Sequence, residues 1–98
     1  MSVLTSNAES AAGARAAARL TPTEKRLWNA LRRQRGRVYS RAELITVAMP
    51  GTIVSPRTVD VHIRSLRRKL GALANPIHTV RRVGYCFGPP ALNRSPSP

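Results

Sequence analysis

Ninety-eight residues make one domain at most once ragged ends are set aside, and the core such a domain buries is small. Seventeen Lys and Arg against four Asp and Glu leave a formal charge of +13, so the partner is polyanionic: nucleic acid first, anionic membrane second, acidic protein third. No apolar run approaches the roughly 18 residues of a membrane span, the start lacks the charged-then-apolar pattern of a secretory signal, and one cysteine, Cys86, rules out a disulfide framework or a cysteine-rich zinc site.

Residues 1–19 are rich in alanine and small polar residues, with Gly13 interrupting and no large apolar anchor before Leu20. They read as a frayed, Ala/Arg-rich arm. A targeting peptide shares that bias, and a basic arm touching DNA backbone is the functional alternative. Thr21-Pro22-Thr23-Glu24 is a capping box with proline at the first helical position. It predicts a helix to about Gln34, with Leu27, Ala30 and Leu31 inward and Trp28 at the edge as packing rather than a base-stacking platform. Arg32, Arg33, Arg35 and Arg37 crowd its end, favouring the helix dipole and able to meet phosphate.

Val38-Tyr39 is a short extended piece. Ser40-Arg41-Ala42-Glu43 forms a second capping box, opening a helix through about Ala48. Pro50-Gly51 ends it, and a turn over 49–54 leads into the next element. There Ser55 is placed to cap and Pro56 to begin a helix running to Leu70, with Gly71 as a left-handed stop.

That third helix carries Val59, Ile63, Leu66 and Leu70 at spacings of four, three and four, which at about 100° per residue is one stripe. Opposite lie Arg57, Val61, Arg64 and Arg68, with Ser65 and Thr58 beside them. A solvated basic face is the plain reading of such a pattern. The preference for arginine over lysine suits bidentate contact with phosphate or guanine, and an outward valine suits a thymine methyl. The second and third helices, joined by a short loop, read as a helix-turn-helix.

After a loop through Asn75-Pro76, Ile77–Arg81 and Tyr85–Phe87 read as two strands around Arg82-Val83-Gly84, a hairpin tipped with arginines. Cys86 is a passive strand thiol. His62 and His78 lack the clustered ligands of a metal site. The Pro/Ser-rich end, 89–98, is expected to be disordered, and Ser95 and Ser97 carry at most a weak modification signal. Two of the four acids are used in capping boxes, and Asp60 has a salt bridge to a neighbouring arginine as its ordinary role. No paired carboxylates, nucleophile–base set or phosphate-cradling loop appears, so catalysis is rejected.

Four segments in order carry a family resemblance over residues 20–88: Leu20–Glu24, Gly36–Leu44, Arg57–Gly71 and Thr79–Phe87. Together they resemble the winged-helix DNA-binding domain of OmpR/PhoB-type response regulators. The resemblance implies a mainly α, α+β fold: a winged helix-turn-helix of three helices with a C-terminal β-hairpin wing. The third helix would enter the major groove and the wing, 77–87, would reach the adjacent minor groove. It implies DNA contact at Arg57, Val61, His62, Ser65 and Arg67 on the helix, and at Thr79, Arg81 and Arg82 on the wing. The helical wheel independently supports Arg57, Val61, Arg64, Ser65 and Arg68, and puts His62 and Arg67 on the flanks.

Arg82 stands where the family commonly has glycine, and Cys86 where a basic residue is common. Neither a receiver domain nor the family's four N-terminal strands is expected here, and the loop before the third helix, which in some relatives meets RNA polymerase, is short. The expected function is a sequence-specific regulator of transcription that binds double-stranded DNA in the cytoplasm, associated with the nucleoid. It would need no cofactor and no membrane, and would be monomeric when free, with head-to-tail pairing on DNA. A protein-interaction module that binds RNA polymerase or another regulator without reading DNA is the alternative. Non-specific nucleic-acid or RNA binding is a third reading, weakened by the few scattered aromatics.

Overall fold

The computed structural model describes Arg15 and residues 18–89. Apart from Arg15, Ala18, Arg19 and Pro89, the expected arm and tail lie outside the described residues. The order is α1 (Pro22–Arg33), β1 (Val38–Ser40), α2 (Arg41–Ala48), α3 (Arg57–Leu70), a 3-10 turn (Gly71–Ala74), β2 (Ile77–Val80) and β3 (Gly84–Phe87).

Both capping boxes form. The Glu24 amide donates to Thr21 Oγ1 at 3.2 Å while Glu24 Oε1 accepts from the Thr21 amide at 2.9 Å. At α2 the reciprocal Ser40–Glu43 bonds are 3.0 and 2.8 Å. Each box satisfies two amides that would otherwise be orphaned at the helix start.

The start of α3 differs from expectation. Pro56 is the N-cap residue, already in helical conformation, and its side chain offers no capping bond. The Thr58 and Val59 amides instead donate to the carbonyls of Ser55 and Pro56 at 2.9 and 3.0 Å, while Ser55 Oγ accepts from the Arg57 amide at 3.1 Å. A tight i to i+3 turn thus serves the amides that a side-chain cap would have served. At the other end Gly71 has φ +58° and ψ −128°, outside the left-handed helical region, and the chain continues as a 3-10 turn where an open loop was expected.

The hairpin also shifts. The expected strand to Arg81 ends at Val80, because the Val83 amide donates to the Val80 carbonyl at 2.9 Å and closes a turn across Arg81 and Arg82. Gly84 therefore begins β3 instead of sitting in the turn. The extended piece at Val38 is a true strand. It pairs antiparallel with β3, Tyr39 opposite Tyr85, giving a three-stranded sheet in the order β1-β3-β2.

Leu27, Leu31, Leu44, Val59, Ile63 and Leu66 form the fully buried centre of the core, with Leu70 and the sheet residues Tyr39, Ile77, Tyr85 and Phe87 around it. Each large aliphatic so buried contributes roughly 1.5–3 kcal/mol. Trp28 is buried and meets Phe87 edge to face, 5.7 Å between centroids, so it packs in the core as expected. The stripe of α3 points into this core, which fixes what its other faces show to solvent.

Candidate nucleic-acid interface

With Val59, Ile63 and Leu66 wholly buried, helical geometry turns Arg57, Val61, Arg64 and Arg68 outward, and all four are exposed. Val61 keeps 61% of its surface in water, on a helix whose opposite stripe is buried. On the wing Thr79, Arg81 and Arg82 are exposed as well. Among the described residues, none of Arg57, Arg64, Arg68, Arg81 and Arg82 forms an ion pair, so the outward row of α3 and the wing tip present five uncompensated guanidiniums.

Arg82 has φ +67°, the one positive φ at a non-glycine among the described residues. Left-handed backbone costs an ordinary residue about 1–2 kcal/mol. The wing turn therefore carries strain in order to hold an arginine where glycine would sit without cost.

The remaining predicted site residues occupy the flanks of α3 and are half-buried: Thr58, His62, Ser65 and Arg67. Arg67 is engaged inside the protein. Its Nη2 donates to the Ile77 carbonyl and to Thr79 Oγ1, both at 3.0 Å, and its guanidinium stands 5.6 Å from the Tyr85 ring centroid. It fastens β2 to α3 and draws Thr79 into the same bond. Ser65 lies on the flank toward α1, where its hydroxyl helps to stabilise the Glu24 carboxylate. The structure thus brings Arg57, Val61, Arg64 and Arg68 together in one row, and separates Ser65 and Arg67 to opposite sides of it.

Asp60 pairs with Arg41, whose Nε donates to Oδ1 at 2.8 Å, so its partner comes from α2 and not from its own helix. The same oxygen accepts from the Tyr85 hydroxyl at 2.6 Å. Burial alone would raise the Asp60 pKa, but these two donors and the nearby charges of Arg41 and Arg57 hold it below the ordinary aspartate value. Tyr85 is raised, first by burial and then by its bond to Asp60, so the phenol stays a donor. Arg41 and Tyr85 were not singled out from sequence. The only sequence signal is that Asp60 is the sole acid of α3.

Three helices, a hairpin beside the third, and a row of arginines around one exposed valine on that third helix define a winged-helix domain of the nucleic-acid-binding class. The model of the family described as "Transcriptional regulatory protein, C terminal" matches residues 15–87, and the chain belongs to that OmpR/PhoB-type family. That family is one of transcription-regulator DNA-binding domains and not of enzymes.

Among curated relatives, the phosphate regulon transcriptional regulatory protein PhoB of Pseudomonas aeruginosa is 43% identical over 72 residues, 71% of this chain and 31% of that protein. The atypical response regulator protein ChxR of Chlamydia trachomatis is 41% identical over 69 residues, 69% of this chain and 30% of that protein. The chain thus spans about a third of the length of these relatives. The response regulator AdeR DNA-binding domain, solved in complex with an intercistronic region, superposes with a TM-score of 0.65 at 34% identity, covering 72% of this chain and 76% of that one. The DNA-binding domain of Escherichia coli CadC gives 0.63 at 31% identity, covering 72% and 70%. No helix among the described residues is long and apolar enough to cross a membrane.

Proposed function

We propose that this chain regulates transcription by binding double-stranded DNA sequence-specifically, with α3 in the major groove and the β2–β3 wing at the adjacent minor groove. The observation that carries the reading is the exposed row Arg57, Val61, Arg64 and Arg68 on a helix whose opposite stripe is wholly inside the core. Arg57, Arg68, Arg81 and Arg82 neutralise phosphates, which sets affinity and register. Val61 and Arg64, at the centre of the row, read base edges, with Thr58, His62 and Ser65 reaching from one flank. Arg67 acts from the other flank by fixing the wing.

Within this reading residues 20–88 are the DNA-binding unit, flanked by the arm and the tail. The protein works in the cytoplasm at the nucleoid, as a free monomer that pairs head-to-tail on direct repeats. The proposal extends to an RNA polymerase contact through the loop between α2 and α3, where Ile53 is fully exposed.

Binding-site selection from random duplexes with purified protein tests the proposal, and recovery of no preferred sequence would sink it. Two variants separate the roles. Arg64→Ala is expected to lose roughly 1–3 kcal/mol of discrimination at the base pair it reads, seen as a flattened preference at that position. Arg82→Gly is expected to weaken every duplex alike and to reduce the slope of log K against log salt by about one. Its fold stability should stay within about 1 kcal/mol of the parent, since the relief of strain offsets the added freedom of the unfolded chain. A large loss of melting temperature in Arg82→Gly would show that the arginine serves the fold.

A further inference from the structure

We propose that Asp60 is a positioning residue: it holds the wing and α2 in register with α3 and keeps Arg41 from competing for DNA phosphate. The inference rests on the DNA-binding reading above. It goes beyond it by assigning a role to the one acidic residue of α3, which sits beside the binding face.

One carboxylate oxygen of Asp60 joins three elements. From α3 it accepts Arg41 Nε of α2 at 2.8 Å and the Tyr85 hydroxyl of β3 at 2.6 Å. The guanidiniums of Arg41 and Arg67 stand 5.5 and 5.6 Å from the Tyr85 ring centroid, so this one ring has cations from α2 and from α3 against it. Arg67 extends the network to β2 through Ile77 and Thr79, and the Arg41 amide donates to the Val83 carbonyl in the wing turn at 3.3 Å. Beside the strand ladders, the wing is thus tied to α2 and α3 through Arg41, Tyr85 and Arg67, and Asp60 binds two of those three directly.

The position of Asp60 on α3 gives its charge a second consequence. At about 100° per residue it lies some 40–60° from Arg57 and Arg64, at the margin of the outward row. Arg41 is brought to that margin, and its side chain keeps 24% of its surface accessible. A guanidinium there with no carboxylate to hold it would be one more sequence-blind phosphate contact. Asp60 sets its direction and cancels its charge, so binding depends on the residues of the row and the wing tip.

The test compares wild type with Asp60→Asn, Tyr85→Phe and the double variant Asp60→Asn/Arg41→Gln. Each is titrated with the selected operator duplex and with a scrambled duplex of the same composition across a KCl series, and circular dichroism gives the folded fraction. Asparagine keeps the shape and an acceptor for Tyr85 but removes the charge. Asp60→Asn is expected to bind scrambled DNA several-fold more tightly, with a salt slope steeper by about 0.9, the value of one added phosphate contact. Both changes should vanish in the Asn/Gln double variant. Tyr85→Phe keeps the Arg41–Asp60 pair and should lose about fivefold in operator affinity, the net value of one hydrogen bond, with its salt slope unchanged.

If Asp60→Asn weakened both duplexes in proportion to its unfolded fraction, with the parent's slope, Asp60 would be a structural residue only and the proposal would fall. Operator affinity of Tyr85→Phe equal to that of wild type would remove the wing from the mechanism. A wild-type protein without operator preference would overturn the regulator reading instead, while the slopes on scrambled DNA would still report on Asp60.

Discussion

Alanine at position 84 is expected to cost this fold about 3 kcal/mol or more, although the change adds one methyl group. Gly84 opens β3, the central strand, and pairs with Ser40 on one side and Val80 on the other. A Cβ built there would fall within contact distance of the Tyr39 carbonyl oxygen and lie 3.0 Å from the Ser40 Cα. Both obstacles are backbone, so no side chain can turn aside. The only relief is to part β1 from β3, which also displaces the Arg41 amide that follows Ser40 and the wing turn it bonds. At roughly 4–8 °C per kcal/mol for a domain of this size, the melting temperature should fall by about 12 °C or more. Gly51→Ala is the control: its φ of +77° is strained for alanine, but nothing lies within 4 Å of the new methyl, so the expected loss is that of left-handed backbone alone, about 1–2 kcal/mol. Equal melting temperatures for the two variants would refute the steric account.

What the sequence makes legible here is whatever depends on near neighbours. The two capping boxes span four residues each, and the α3 stripe repeats within twelve, so their partners are visible in a linear reading. The same stripe predicts the outward row, because a helix that buries Val59, Ile63, Leu66 and Leu70 has no choice about where Arg57, Val61, Arg64 and Arg68 point. Arg82 stands where the family commonly has glycine, and its positive φ is the physical reason that glycine suits the position.

Contacts between distant segments escaped. The three residues of β1 are too few for an alternation to declare itself, and its pairing with β3 joins positions 44–48 residues apart. A helical wheel lists Arg67 and Ser65 as polar, but it cannot say that a strand and a buried carboxylate wait beside them. Asp60 does form a salt bridge with an arginine. Its partner lies 19 residues away, and the Tyr85 hydroxyl on the same oxygen comes from the far side of the hairpin. Of the acids, Glu24 was visible only in its local role as the third residue of a capping box.

That acid underlies the second large effect. Glu24 is buried to 3% exposure, and Lys69, near the end of α3, donates to its Oε1 at 2.8 Å. The pair bridges the first turn of α1 to the last turn of α3. Burial by itself would raise the carboxyl pKa; the Lys69 ammonium, the Thr21 amide and the Ser65 hydroxyl outweigh it and bring the value from 4.5 down to about 2. A carboxyl that releases its proton more readily in the folded state favours folding wherever it is ionised. The contribution, about 3 kcal/mol, is complete above pH ~4.5 and disappears as the pH falls toward ~2. Lys69→Met should therefore cost roughly 3–5 kcal/mol at neutral pH, because it leaves a buried carboxylate without its cation. It should also flatten the acid limb of stability between pH ~4.5 and ~2, since the Glu24 pKa would return toward its unfolded value. Adding Glu24→Gln should recover most of the loss: glutamine still accepts from the Thr21 amide in a capping box, and no unpaired charge remains. Urea denaturation of the parent, Lys69→Met and the double variant across that pH range checks all three expectations. A single variant as stable as its parent, with the same acid limb, would mean that the bridge between α1 and α3 contributes nothing to folding.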